Sequence, residues 1–287
     1  MVNKMNKPEP VIRYERKGDK MENQSIDRFD QDLQNNKGTS DQYAKIVDQI
    51  TNEIILQNTT DAHDKKSKTK GVKVHIKYFS NEKLSPEGRK FISNYKKTIT
   101  NLKAENQDTV IPNFNSQGTE SLLVIEDYNT TGLTGNYDFN SWIKVKDNTK
   151  NHEVDKTERF FGLMYMDGYS TKTKERTGGS RGRGKIVITK HSNLNTFLCI
   201  TKRPDETKVL TGKTVLTEGL KIKDKETKRD IIYGKCNNYQ DDDAFAEGYD
   251  DLDEINEIEK SLEISRNENG TSIAILEPTP ALTVLDK

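Results

Sequence analysis

Apolar and polar positions alternate or recur along this chain with several distinct periods. Val72, Val74, Ile76 and Tyr78 alternate with Lys73, His75 and Lys77, the period-two pattern of a half-buried strand. From Ser40, a plausible N-cap, Val47, Ile50, Ile54, Asn58 and Asp61 recur at spacings of three and four, which predicts one face of a helix. Residues 121–126 (SLLVIE) and 272–276 (SIAIL) are short, nearly continuous apolar runs, as expected of central strands. Helices are predicted over 86–102, 159–166 and 186–189. A further helix carries Phe245, Leu252, Ile255, Ile258 and Leu262 on its inner face and acids outside. Strands are predicted at 10–14, 196–201 and 208–216. There are no internal repeats, and helices and strands interleave in one α/β unit.

Composition narrows the class. Leu, Ile, Val and Phe together make up 63 of 287 residues, and Lys plus Arg (46) balances Asp plus Glu (46). A wholly disordered chain or a uniformly basic nucleic-acid glove is therefore not expected. The core is lean, with 32% charged residues, so long solvated loops are expected. No apolar run reaches the ~18 residues of a membrane span, and the N-terminus lacks an apolar leader segment. Cys199 and Cys236, like the four histidines, form no metal or redox spacing. The expectation is a cytoplasmic protein that does not engage membranes. Residues 1–38 read as an irregular arm, 39–280 as the domain and 281–287 as a tail.

Four polar or glycine-bearing segments sit at the ends of these elements. They are 57–62 (QNTTDA), late on the first helix; 126–135 (EDYNTTGLTG), directly after a strand; 178–185 (GGSRGRGK), before a helix-like run; and 270–272 (GTS), opening the last strand. Each suits a nucleotide. A helical Asn offers an amide oxygen to a magnesium ion that carries phosphates. A carboxylate at a strand end accepts a hydrogen bond from adenine's exocyclic amine. A glycine-rich turn entering a helix brings backbone N–H groups close to phosphate.

These segments, in this order, resemble the nucleotide-binding boxes of the GHKL ATP-binding superfamily, which includes gyrase, the heat-shock chaperone, histidine kinases and the mismatch-repair ATPases. With Phe160-Phe161-Gly162 they resemble most its bacterial members found beside phage-defence genes. The likeness spans about 41–278. It implies an α+β fold of Bergerat type: a two-layer α/β sandwich with a mostly antiparallel mixed sheet, helices on one face and a lid at about 134–178. It implies ATP and Mg as ligands. Asn58 matches the magnesium-binding Asn, and Asp61 the Asp one turn later. Asp127 matches the adenine reader, with Gly132 in its turn. Gly179, Gly182 and Gly184 match the phosphate turn with Lys185 beside it, and Thr271 the Thr whose hydroxyl assists Asp127. The implied role is an ATPase or nucleotide-driven switch that forms a homodimer on binding nucleotide and serves a partner in a defence or DNA-processing system.

Two positions depart from the pattern. The general-base position four residues before Asn58 is Ile54, and the nearest carboxylate is Glu53. At about 100° per residue, Glu53 lies roughly 140° from Asn58 around the helix, off the nucleotide face unless a π-bulge intervenes. This favours a non-catalytic nucleotide sensor or scaffold as the alternative. Asn129 replaces a glycine and has to tolerate positive φ, which Asn does better than most residues. A plain interaction domain that has lost nucleotide is the third reading.

Overall fold

The computed structural model describes residues 9–14, 71–105, 118–138, 158–164, 188–189, 191–215, 221–222, 226–237, 245–280 and 282. In chain order its elements are β1 (Glu9–Tyr14), β2 (Lys73–Phe79), α1 (Pro86–Glu105), β3 (Leu122–Tyr128), α2 (Arg159–Met164), β4 (Thr196–Lys202) and β5 (Lys208–Val215). They continue with β6 (Lys221–Ile222), β7 (Glu226–Asn237), β8 (Phe245–Glu247), α3 (Leu252–Ser261) and β9 (Gly270–Leu276). The class is broadly α+β. The strands run in the order β1-β7-β5-β4-β9-β3-β2, with β6 and β8 also pairing with β7. Every one of these pairings is antiparallel.

Alternation along the central strands divides the interior in two. Leu122 and Val124 of β3, Leu198 and Ile200 of β4, and Ala274 and Leu276 of β9 face one core, closed by Ile92, Tyr95 and Ile99 of α1 and Ile255 and Ile258 of α3. Their neighbours Leu123, Ile125, Phe197, Cys199, Ile273 and Ile275 face the other, closed by Phe160 and Met164 of α2 and by Ile188. Both faces being buried, β3 and β9 read as unbroken apolar runs rather than as alternating ones. The expectation of helices on one face is corrected: the described helices pack against both.

Local chemistry starts and stops these elements where the sequence says it should. Pro86 stands at the first helical position of α1, where its missing N–H costs nothing, and the Ser85 hydroxyl accepts from Gly88 N at 3.0 Å. The carboxylate of Glu263 accepts from Ser85 N at 2.8 Å, tying the start of α1 to the end of α3. Asp251 caps α3 by accepting from Asp253 N and Glu254 N. Lys96 forms a buried ion pair with Glu277, and burial pushes the Glu277 carboxyl above its usual range.

Most expected elements are present, and two corrections follow. Phe245 belongs to strand β8, not to the helix that starts at Leu252. The twelve-residue β7 was not expected at all. The helix expected from Ser40 lies outside the described residues.

Candidate nucleotide site

Three adjacent strands carry a row of polar residues across one end of the sheet. In the β4–β9 register Thr201 pairs with Thr271. The β3–β9 ladder ends with Glu126 opposite Ser272, so Asp127 and Thr271 are the next residues beyond its last rung. Asp127, Thr271 and Thr201 share the parity of Ile125, Ile273 and Cys199, which places them on the face that α2 covers.

Asp127 is held at one of its two carboxylate oxygens. Thr130 Oγ1 donates to Oδ1 at 2.6 Å, and Thr271 N donates to the same oxygen at 2.9 Å. Among the described residues no donor reaches Oδ2. Desolvation pushes the Asp127 carboxyl above the usual range, against the hydrogen bonds from Thr130 and Thr271 and the charge of Arg266, which act the other way. The result is an oriented carboxylate with one acceptor oxygen uncommitted among the described residues.

The turn after β3 is shaped by backbone that only certain residues adopt. Asn129 takes φ +64° and its side chain donates to Gly71 O at 3.0 Å, so the Asn for Gly exchange is accommodated in the left-handed region. Gly132 has φ +62°, and a Cβ there would collide with Thr201 Oγ1 and stand 2.8 Å from Lys202 O. That closeness lets Leu133 N donate to Thr201 Oγ1 at 2.8 Å, locking the turn onto β4. Gly270, at φ +144°, meets Asp127 just as closely, and a Cβ there would overlap Asp127 O.

Beyond the turn, Phe160 N donates to Thr134 O at 2.9 Å, and the Glu158 carboxylate accepts from Asn136 N at 2.8 Å. Tyr137 O accepts from Gly248 N, and Tyr137 Oη donates to Asp250 Oδ2 at 2.9 Å. Burial first, and then Asp250, pushes the Tyr137 phenol up to about 12. The Arg203 guanidinium lies 5.2 Å from the centroid of this ring. Among the described residues its Nε and Nη2 are buried without hydrogen-bond partners, and the ring face is a contact that offsets part of their desolvation. The two described stretches of the expected lid, 134–138 and 158–164, are thus fastened to each other and, through Tyr137, to the body of the domain.

The structure therefore brings together Asp127, Gly132 and Thr271, three of the ten residues singled out from the sequence. Thr271 reaches Asp127 through its backbone N–H. The hydroxyl on Asp127 is that of Thr130, while Thr271 Oγ1 lies 3.5 Å from Thr201 Oγ1. Glu53, Asn58, Asp61, Gly179, Gly182, Gly184 and Lys185 lie outside the described residues, and with them the expected magnesium position and phosphate turn. Among the described residues no group of three or more His, Cys, Asp or Glu side chains is placed to hold a metal ion.

Sequence reasoning missed Thr130, Thr201 and Arg266. Thr130 lay inside a noted segment, and its distance of three residues from Asp127 is the usual reach of a side-chain hydrogen bond within a turn. Thr201 and Arg266 had no local signal. No helix among the described residues is long and apolar enough to cross a membrane. No protein-family model matches the chain, and no characterised protein matches it.

Proposed function

We propose that this chain binds ATP with magnesium through a GHKL-type site and acts as an ATPase or nucleotide-driven conformational switch. The observation that carries the reading is the state of Asp127: both donors among the described residues go to Oδ1, which leaves Oδ2 to accept from an exocyclic amine. Adenine presents such an amine where guanine presents a carbonyl, so an ionised carboxylate there selects adenine. The row formed with Thr271 and Thr201, and the turn at Gly132, support the same reading.

In this reading the fold is a Bergerat-type sandwich whose nucleotide layer covers the Asp127 face, with α1 and α3 as an added layer behind the sheet. Asn58 with Asp61 takes the magnesium side, and the segment from Gly179 through Gly182 and Gly184 to Lys185 takes the phosphates. Residues 134–178 form the lid. Homodimerisation on nucleotide binding, and service to a partner in phage defence or DNA processing, belong to the same proposal.

Ile54 at the general-base position favours a second reading, a nucleotide sensor that binds without hydrolysis. Loss of a general base typically costs about 10²–10⁴-fold in rate while leaving affinity intact. Asp127→Ala is the test of the shared premise. It is expected to weaken an adenine nucleotide about 10–100-fold, the worth of one hydrogen bond to a charged group. Equal affinity in the variant and the unmutated chain contradicts the reading.

A further inference from the structure

Arg266 has no exposed surface and is the largest fully buried side chain among the described residues. Taking a guanidinium out of water is costly unless its donors are met, and here they converge on the end of the β3–β9 ladder. Nη1 donates to Asp127 O at 2.5 Å, and Nη2 donates to Thr271 O at 2.9 Å. Nε and Nη2 also donate to Ser272 Oγ, at 2.9 and 2.7 Å. Its Cζ lies over the Tyr128 ring, 4.5 Å from the centroid.

The acceptors have a pattern. Glu126 and Ser272 form the last rung of the ladder, so the carbonyls of Asp127 and Thr271 are the first that Arg266 meets beyond it. A buried carbonyl without a donor is costly, and the guanidinium fork satisfies both at once. It takes the place of the missing rung. Gly270 permits this, since a Cβ there would stand 2.7 Å from Arg266 Nη1 and 2.8 Å from Asp127 Oδ1. Behind the clamp, Ser272 Oγ donates to Glu126 Oε1 at 3.0 Å, and Lys77 Nζ pairs with Glu126 Oε2 at 3.0 Å. Glu126 Oε1 also stands 3.6 Å from Arg266 Nη2, so the guanidinium charge is paired on its own face of the sheet.

We propose that Arg266 is the positioning residue of the base-reading site: by clamping the carbonyls of Asp127 and Thr271 it fixes where the Asp127 carboxylate is presented, and so sets the preference for adenine over guanine. This rests on the ATP-binding reading. Arg266 touches the nucleotide nowhere in this scheme and acts through Asp127.

The test is calorimetric titration of the full chain with non-hydrolysable ATP and GTP analogues plus magnesium. It compares the unmutated protein with Arg266→Gln, Arg266→Lys and Ser272→Ala. Arg266→Gln is expected to weaken the ATP analogue about 10–100-fold, as expected for lost charge-assisted hydrogen bonds, and to bring the two analogues to similar affinity. Arg266→Lys restores part of the preference, and Ser272→Ala, which keeps the charge, gives a smaller loss. A merely structural arginine would not move the base preference of a folded variant.

Where Arg266→Gln does not fold, the Arg266 Nε–H resonance of the unmutated chain supplies the answer. It shifts on addition of the ATP analogue if the clamp is part of the site. Selective adenine binding retained by folded Arg266→Gln, or an Nε–H resonance unmoved at saturation, overturns the proposal and leaves the ATP reading standing. Absence of nucleotide binding by the unmutated chain removes both, a result the variants cannot imitate.

Discussion

Gly132 shows how much of the site hangs on one missing methyl group. Its φ of +62° lies where a side chain is strained, and a Cβ there would run into Thr201 Oγ1. Gly132→Ala is expected to lower stability by about 1–3 kcal/mol through strain, and further through collision with β4, which a thermal melt reads as a lowered Tm. Asp127 makes the opposite kind of prediction, one in pH. Desolvation raises its pKa, so the native state holds this proton more tightly than the unfolded chain. The sign then follows: Asp127 subtracts stability as pH climbs from the ordinary Asp value through the raised one, and returns it on acidification. Nucleotide affinity runs the other way, because the charged acceptor is lost as pH falls through the raised value. Kd measured against pH should therefore weaken at a higher pH than an ordinary Asp would give, and Asp127→Asn should flatten that profile. The segments that hold Asp127, Gly132 and Thr271 stood out because a carboxylate after an apolar strand and glycines at element ends are visible in one sequence, while the choice of those three residues came from the family resemblance. Arg266 was not: it stands in the polar stretch 265–270 (SRNENG), which reads as a solvated turn, and only the tertiary fold buries it.

The elements divide by how much of their stability comes from their own periodicity. Helix α1 repeats Ile92, Tyr95 and Ile99 on one face and begins with Ser85 and Pro86, so both its existence and its start were readable. Strands β3 and β9 were equally plain, as continuous apolar runs buried on both faces. Strand β7 escaped because Ile231 and Ile232 are flanked by charged and polar residues, and its pairing with β1 and β5 comes from distant parts of the chain. Phe245 was assigned to a helix because its spacing from Leu252 fits a helical face, yet Asp251 caps the helix six residues later and the segment before it pairs with β7. Lys96 lies on the buried side of α1 because Glu277 waits beyond the end of β9. Lys96→Met is expected to cost about 3–5 kcal/mol at neutral pH by leaving Glu277 buried and unpaired. Because burial raises the Glu277 pKa, protonation relieves that penalty, so denaturation in urea should show the loss shrinking as pH falls.

Taken whole, the described part of the molecule is an antiparallel sheet with an apolar core on each face and its polar row at one end. The composition had indicated a lean core with much solvated chain. The sheet reconciles that with a folded domain by using nearly every residue of β3, β4 and β9 as core. The antiparallel sheet was expected only from the family resemblance, since interleaved helices and strands do not fix strand direction, and the presence of helices on both faces was not expected. A helix's periodicity tells which side is buried but not which face of the sheet receives it. The row of Asp127, Thr271 and Thr201 owes its position to register: the same parity that sends Ile125 and Ile273 inward brings the polar residues to that face where the apolar run ends. The most direct test of the account is titration calorimetry of the full chain with a non-hydrolysable ATP analogue and magnesium, repeated with the GTP analogue. Saturable binding of the adenine compound, with the guanine compound weaker by about tenfold or more, is the predicted result. No binding at millimolar nucleotide, or equal affinity for both bases, contradicts it.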